Sequence, residues 1–346
     1  MAILTLGAHE LRGHAQAQTL LRAWPFLADD GAEPAERRAS VLLAGLKDAA
    51  RVLALTGGGA DGAWRWLAAW EPLAFDSQVF GRPLGRIDLL AHAAAWPEAG
   101  ALADGCEILS AACASAWAAG LEGLSLRLPA RDLLAAQAAE AAGFRLVDVS
   151  VEWELDLAAG PKPAAPPAGL GLRPAGEADA DALMDLAARS FCDLESYGDR
   201  FALDPRLRPG CPELYRRWMA NSIAGDQADQ VLVLAGAGPA ADAAGLVGFM
   251  TLKNPPAGAA DGRGWVVLNA VDPARRGRGL YNLLLAHGLA GLAAAGATRA
   301  RVRTKVSQLA VIRAWSRLGA RQAGAWLTLH AWRDGAADIK ACEENT

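Results

Sequence analysis

Apolar residues in the second half of the chain recur with two alternating periods. Over Glu177 to Arg189, Leu183, Leu186 and Ala187 fall at helical spacing behind an acidic first turn, which predicts an amphipathic helix. A polar, aromatic stretch from Ser190 to Pro212 follows, and Glu213 to Ile223 then puts Leu214, Trp218 and Ser222 on one face of a second helix. Gln230 to Leu234, Gly245 to Lys253 and Gly264 to Val271 are short β-branched and apolar runs that predict strands, the last of them buried on both faces. An apolar helix is expected to begin at about Leu280, and Thr298 to Lys305 is expected as a further strand.

The first half repeats this rhythm more weakly. Helices are predicted at Glu36 to Ala50, Asp104 to Ala119 and Arg131 to Ala142. Strands are predicted at Arg51 to Thr56, Trp64 to Ala74, Gly85 to Ala91, Leu124 to Leu128 and Phe144 to Leu157. Both halves end in a short strand, an alanine-rich helix, a glycine and a long strand, the pattern of an internal duplication. Between them, AAGPKPAAPPAGLG (158–171) carries four prolines and three glycines, which break every period and favour an extended linker. The predicted organisation is therefore a first domain over 1–157, the linker at 158–171, a second domain over 172–335 and a tail at 336–346. The fold class is α/β with mixed sheets.

Composition narrows the function classes. The chain has 346 residues, 53% of them hydrophobic and 21% charged, enough apolar material for two packed cores. A formal net charge of -4 gives no broad basic field for a nucleic acid backbone. The beginning MAILTLGAHELRG has no basic segment followed by an apolar stretch, and no apolar run reaches the ~20 residues of a membrane span, so a cytoplasmic protein is expected. Five cysteines, with no C-x-x-C pair, fit neither a disulfide framework nor a zinc site and are expected as reduced thiols. No metal is expected.

The chemistry concentrates in NAVDPARRGRGLYNLLL (269–285). A strand stops at Pro273, a basic glycine loop follows, and a helix begins. Backbone N–H groups at the positive end of a helix form a site for a pyrophosphate, the glycines permit close approach, and the arginines add charge-assisted contacts. Val271, Pro273, Arg276, Gly277, Arg278, Gly279 and Leu280 resemble motif A of the GNAT acetyltransferases, which binds the pyrophosphate of coenzyme A. Downstream, SQLAVIRAWSRLGAR is similar to GNAT motif B, with Gln308 at the Asn position, Val311 at the Ala position, Trp315 at the Tyr position and Gly319-Ala320 at the Gly-Phe. Ser190 to Gly225 together with FDSQVFGRPLGR (75–86) also resembles the two-domain TDP-fucosamine acetyltransferase type.

The resemblance implies tandem GNAT-like acyl-CoA N-acyltransferase domains, the first of them degenerate because it has no R-x-x-G-x-G. It implies acetyl-CoA as co-substrate, with Asn269, Ala270 and Val271 at the thioester, Arg276, Gly277, Arg278, Gly279 and Leu280 at the pyrophosphate, and Gln308 at the pantetheine arm. An indole cannot act as the acid that a motif B tyrosine supplies, and the strand before motif A has no carboxylate. Glu195 is nominated as base and Tyr197 as substitute acid, with a solvated carboxylate and a packing aromatic as the other readings. Tyr281 is the rival acid, or else a packing residue. The expected partner is a small-molecule amine, with a nucleotide-linked amino sugar leading. A peptide or protein amine, or acyl-CoA binding without catalysis, are the alternatives. A homodimer is compatible with the chain.

Overall fold

The structure is a computed structural model that describes residues 2–24, 35–57, 62–94, 98–160, 162–195, 197–236, 245–258 and 261–334. In chain order, the first half contains β1 (Ala2–Gly7), α1 (Ala8–Arg12), α2 (Ala15–Ala23), α3 (Ala35–Gly45), β2 (Arg51–Thr56), β3 (Trp64–Pro72), α4 (Ala74–Phe80), β4 (Leu84–His92), α5 (Ala101–Ala118), β5 (Gly123–Pro129), α6 (Leu133–Ala141) and β6 (Arg145–Asp156). The second half contains β7 (Leu170–Pro174), α7 (Ala180–Cys192), α8 (Arg200–Leu203), α9 (Cys211–Ile223), β8 (Gln230–Gly236), β9 (Leu246–Lys253), β10 (Arg263–Val271), α10 (Leu280–Ala294), β11 (Arg299–Lys305), α11 (Leu309–Arg317) and β12 (Arg321–Trp332). The expected tail at 336–346 lies outside the described residues.

Two compact units result, and their limits differ from halves cut at a linker. One comprises Met1–Val149 with Ala325–Thr346, the other Ser150–Gly324. In the first unit the strand order is β1-β2-β3-β4-β5-β12, and in the second β7-β8-β9-β10-β11-β6. Each sheet has four antiparallel strands followed by one parallel pair, β4 with β5 and β10 with β11. Each is then closed by an antiparallel strand from the other half of the sequence: Trp326–Trp332 of β12 on β5, and Ser150–Asp156 of β6 on β11. The duplication visible in the sequence is thus a duplication with exchange of the sixth strand.

Alternation along the strands builds the cores. In the first unit Trp66, Ala68 and Trp70 of β3 pack with Ile108, Leu109 and Leu134 of α5 and α6. The intervening Leu67 and Ala69 pack with Leu11, Leu20 and Leu43 of α1 to α3. In the second unit Met250, Leu252, Val266 and Val302 meet Leu284, Leu289 and Leu292 of α10 and Trp315 of α11. Gly288 permits the close approach of α10 to β9, because a Cβ there would strike the sulfur of Met250.

Two expectations are corrected. The strand expected through Ala74 stops at Pro72, and Ala74 opens the short helix α4. The strand at Gly264 to Val271 is not buried on both faces. Gly264, Val266 and Leu268 are buried, while Trp265, Val267, Asn269 and Ala270 are half-buried, an alternation that places one face, with Val266, in the core against α10 and leaves the other partly open. The linker also yields its last two residues, Leu170 and Gly171, to β7.

Candidate functional site

The parallel pairing of β10 with β11 runs from Arg263 to Val266 against Arg299 to Val302 and then ends, although both strands continue. Beyond that point β10 keeps only its antiparallel neighbour β9, with a register shift between Val266 and Asn269. Thr251 holds this bulge: its buried hydroxyl accepts the N–H of Leu268 at 2.9 Å. The direction of the remaining amides follows from alternation. Asp272 donates to the carbonyl of Val247 at 2.8 Å, so Ala270, two residues earlier, also faces β9, where Phe249 is its partner. Asn269 and Val271 therefore turn their N–H groups to the opposite edge, into the gap that β11 leaves.

Directly after this strand, Asp272 caps the turn at Pro273–Arg275 by accepting the N–H of Ala274 at 2.9 Å, and Arg189 of α7 binds its other oxygen at 2.8 Å. Arg276 folds back to donate from Nε to the carbonyl of Val271 at 3.3 Å, while Arg275 and Arg278 are exposed. Gly277 and Gly279 have φ of 79° and 74°, the left-handed region that glycine enters without a Cβ penalty. Gly279 is the N-cap of the 15-residue α10, with no side-chain cap. Its carbonyl takes the N–H groups of Asn282 and Leu283 at 3.1 and 3.3 Å. Among the described residues, no backbone acceptor is recorded for the N–H groups of Arg278, Gly279, Leu280 or Tyr281. These are the donors, at the positive end of a helix, that an anion would satisfy.

Tyr281 lies at the second position of α10, half-buried against the core. Its hydroxyl accepts the indole N–H of the fully buried Trp315 at 3.3 Å. Burial raises the phenol well above its ordinary range, and the Trp315 hydrogen bond opposes that rise by stabilising the anion. The phenol is a hydrogen-bond donor throughout the neutral range. Gln308 stands at the N-cap of α11, where its backbone N–H donates to Lys305 at 3.0 Å and its carbonyl accepts from Ile312 at 3.1 Å.

The other nominated residues lie in the loop after α7. Glu195 is exposed, its N–H held by Asp193 Oδ1 at 3.1 Å. Tyr197 is half-buried, edge-on to Phe191 with centroids 5.2 Å apart, and the ammonium of Lys305 lies 5.8 Å from its ring centroid. Lys305 Nζ also donates to the carbonyl of Gly198. The loop that carries Tyr197 is therefore fixed to the last residue of β11. Sequence reasoning missed Lys305 and Thr251, which read as ordinary strand residues in RVRTK and GFMTLK. It also missed Tyr215, buried beside Asp199 and raised well above its ordinary range, chiefly by burial. His287 contacts the carbonyl of Ala164 at 2.9 Å, a structural tie within this unit.

A cavity of about 830 Å³ opens beside Asp272, between α7, Pro212, Arg216 and Leu246. It does not include the glycine loop. On β6, Glu154 is paired with Arg301, Arg321, Arg263 and Arg299 at 2.7, 3.0, 3.2 and 3.6 Å, and Glu152 with Arg301 and Arg303 at 2.8 and 2.9 Å. Burial alone would raise Glu154, but the hydrogen bonds of Arg321 and Arg301 and the charges around it win, lowering it to about 2. Among the described residues no group of three or more His, Cys, Asp or Glu side chains is placed to hold a metal ion, and no helix is long and apolar enough to cross a membrane.

A mixed sheet whose one parallel pair parts beside a glycine loop and helix is the GNAT fold. No protein-family model matches the chain, and no curated protein matches it. Solved structures do. A GCN5-related N-acetyltransferase from Sphaerobacter thermophilus is 14% identical with a TM-score of 0.63, over 95% of each chain. A tandem GNAT protein from the clavulanic acid biosynthesis pathway is 16% identical with a TM-score of 0.57, over 96% of this chain and 98% of its own. A GCN5-related glucosamine N-acetyltransferase region of a fungal multi-domain β-N-acetylglucosaminidase gives 14% and 0.59 over 95% of this chain, which spans 38% of that protein. The fold is thus that of tandem GNAT proteins.

Proposed function

We propose that the chain is an N-acyltransferase that moves an acetyl group from acetyl-CoA to a primary amine of a small molecule. One observation carries this reading: the N–H groups of Asn269 and Val271 face the gap left by β11, one turn of chain before a helix start with free amides and two flanking arginines. In this reading the gap takes the thioester arm, with the Asn269 and Val271 amides polarising its carbonyl. The N–H groups from Arg278 to Tyr281, with Arg275 and Arg278, hold the pyrophosphate. Ala270 and Leu280 contribute backbone shape on either side, and Gln308 offers its amide to the pantetheine.

Attack requires a neutral amine, and Glu195 is the nominated acceptor of its proton, exposed to solvent that carries the proton away. The departing thiolate needs a donor. Tyr281 fits that role better than Tyr197, because it begins the helix beside the loop and holds its proton at neutral pH. A nucleotide-linked amino sugar is the leading acceptor, on the resemblance of the sequence to the two-domain TDP-fucosamine acetyltransferase type. The glucosamine N-acetyltransferase named among the similar structures is in keeping with it.

Calorimetric titration of acetyl-CoA into the full chain, and into a variant carrying Arg276→Glu with Gly277→Asp, tests the reading. Binding by the parent and its loss in the variant supports it, and CoA release with amino sugars then identifies the acceptor. A parent that binds neither acetyl-CoA nor longer acyl-CoAs ends it. Binding without turnover on any amine would favour an acyl-CoA-binding role.

A further inference from the structure

Cys192 is the last residue of α7 and Cys211 the first of α9, and their sulfurs are 2.6 Å apart. Their separation of 19 positions in sequence hides this, because α8 and its flanking turns fold the chain back between them. Both are free thiols, as are Cys106 and Cys113. A disulfide bond is about 2.05 Å long, so the remaining gap is small enough for rotation about the two Cα–Cβ bonds to close. Reaching the pair is also one-sided. Cys211 is fully buried, whereas Cys192 is half-buried and lines the 830 Å³ cavity beside Arg189, Arg216 and Asp272.

We infer that Cys192 and Cys211 form a reversible intramolecular disulfide when the protein meets a peroxide, with Cys192 the sulfur oxidised first. The Cys192 thiolate attacks one peroxide oxygen. An S–O bond forms, the O–O bond breaks, and the leaving hydroxide takes up the proton the thiol released, giving water. The sulfur of Cys211 then attacks the sulfenic sulfur. The S–S bond forms, the S–O bond breaks, and the hydroxide leaves as a second water with the Cys211 proton. Two thiols and one peroxide become a disulfide and two waters, and a dithiol reductant reverses the change.

The two sulfurs take different parts for physical reasons. The Cys192 sulfur beside it, and then burial, raise the Cys211 thiol far above its ordinary range, so it stays protonated and waits as the resolving partner. Arg189 and Arg216 flank the cavity and place positive charge on the side from which peroxide arrives, though each also binds a carboxylate. The bond would tie the two ends of the segment that carries Tyr197 and Gly198, the residues held by Lys305. This site does not depend on the proposed acyl transfer.

The test uses the reduced full chain, hydrogen peroxide, and added glutathione as an internal check that the oxidant acts. Remaining thiols are alkylated and the protein is digested with trypsin. Cys192 falls in the peptide Ser190 to Arg200 and Cys211 in Leu207 to Arg216, since trypsin does not cut before Pro209. The expected product is these two peptides joined, less two hydrogens, and separated again by dithiothreitol. Cys211→Ser should leave Cys192 as a sulfenic acid that dimedone traps, and Cys192→Ser should leave Cys211 alkylated. If glutathione is oxidised while the parent protein yields both peptides separately, alkylated or with Cys192 as sulfinic acid, the inference is overturned.

Discussion

The indole N–H of Trp315 points at the hydroxyl oxygen of Tyr281 from 3.3 Å, joining the first turn of α10 to the helix α11. An indole cannot give up a proton near neutral pH, but it can support a neighbour that does. A donor aimed at a phenol oxygen stabilises the phenolate, and here it works against the burial that keeps the proton in place.

Tyr281→Phe should therefore lower kcat for acetyl transfer by about 100-fold, the usual worth of a positioned proton donor. KM for acetyl-CoA should stay within about twofold, since the change removes an interaction made in the transition state. Steady-state CoA release measures both. An unchanged kcat would return Tyr281 to a packing role.

Thr251→Val keeps the shape of the side chain but removes the acceptor of the Leu268 N–H. A buried donor left unsatisfied costs about 1–3 kcal/mol, which urea unfolding would register. Because the same bulge turns Asn269 toward the gap, kcat should fall with stability. A stable variant of full activity would show that the bulge does not need Thr251.

At Gly279 an added Cβ meets nothing within 4 Å, so any penalty there is one of backbone conformation. With φ at 74°, Gly279→Ala should cost about 1–2 kcal/mol or rotate the first turn of α10. Acetyl-CoA affinity should fall, and Gly279→Asn, which tolerates this region better, should fall less. Equal affinity in all three proteins would mean that the loop amides are not the anchor.

Glu154 gives a pH dependence with a definite sign. Its folded value of about 2 is below the ordinary 4.5, so the folded state binds the proton less readily than the unfolded chain. The stabilisation is fully present above pH about 4.5 and is lost as pH falls toward 2, on the order of 2 kcal/mol after allowance for solvent screening. Glu154→Gln should lower the melting temperature at neutral pH and flatten the decline between those values. Thermal melts across pH 2 to 5 check it, and a parent and variant with parallel curves would exclude the linkage.

Much of the second unit was legible because its signals are local. The spacing of Leu183, Leu186 and Ala187 marks α7, and the glycine loop between a strand and an apolar helix marks the turn at Pro273 to Gly279. What escaped depends on residues distant in sequence. Nothing in GWVVLNAV says that β11 leaves it at Val266, and an apolar run does not reveal that one of its faces is only half covered. Thr251 and Lys305 act through Leu268 and Gly198, partners that no periodicity connects. The short helix α4 has no buried residue, so it carried no amphipathic signal.

The exchanged sixth strands also fix an order of completion during synthesis. The six strands in the order β7-β8-β9-β10-β11-β6 have all been made once β11 is finished, because β6 precedes the rest. The sheet that begins at Ala2 still has β5 as an unpaired edge at that moment and acquires its last strand only with Ala325 to Trp332, at the far end of the chain. The unit encoded first is thus the last that can finish folding, and a nascent or prematurely terminated chain presents β5 as an open strand edge to any other chain that can pair with it.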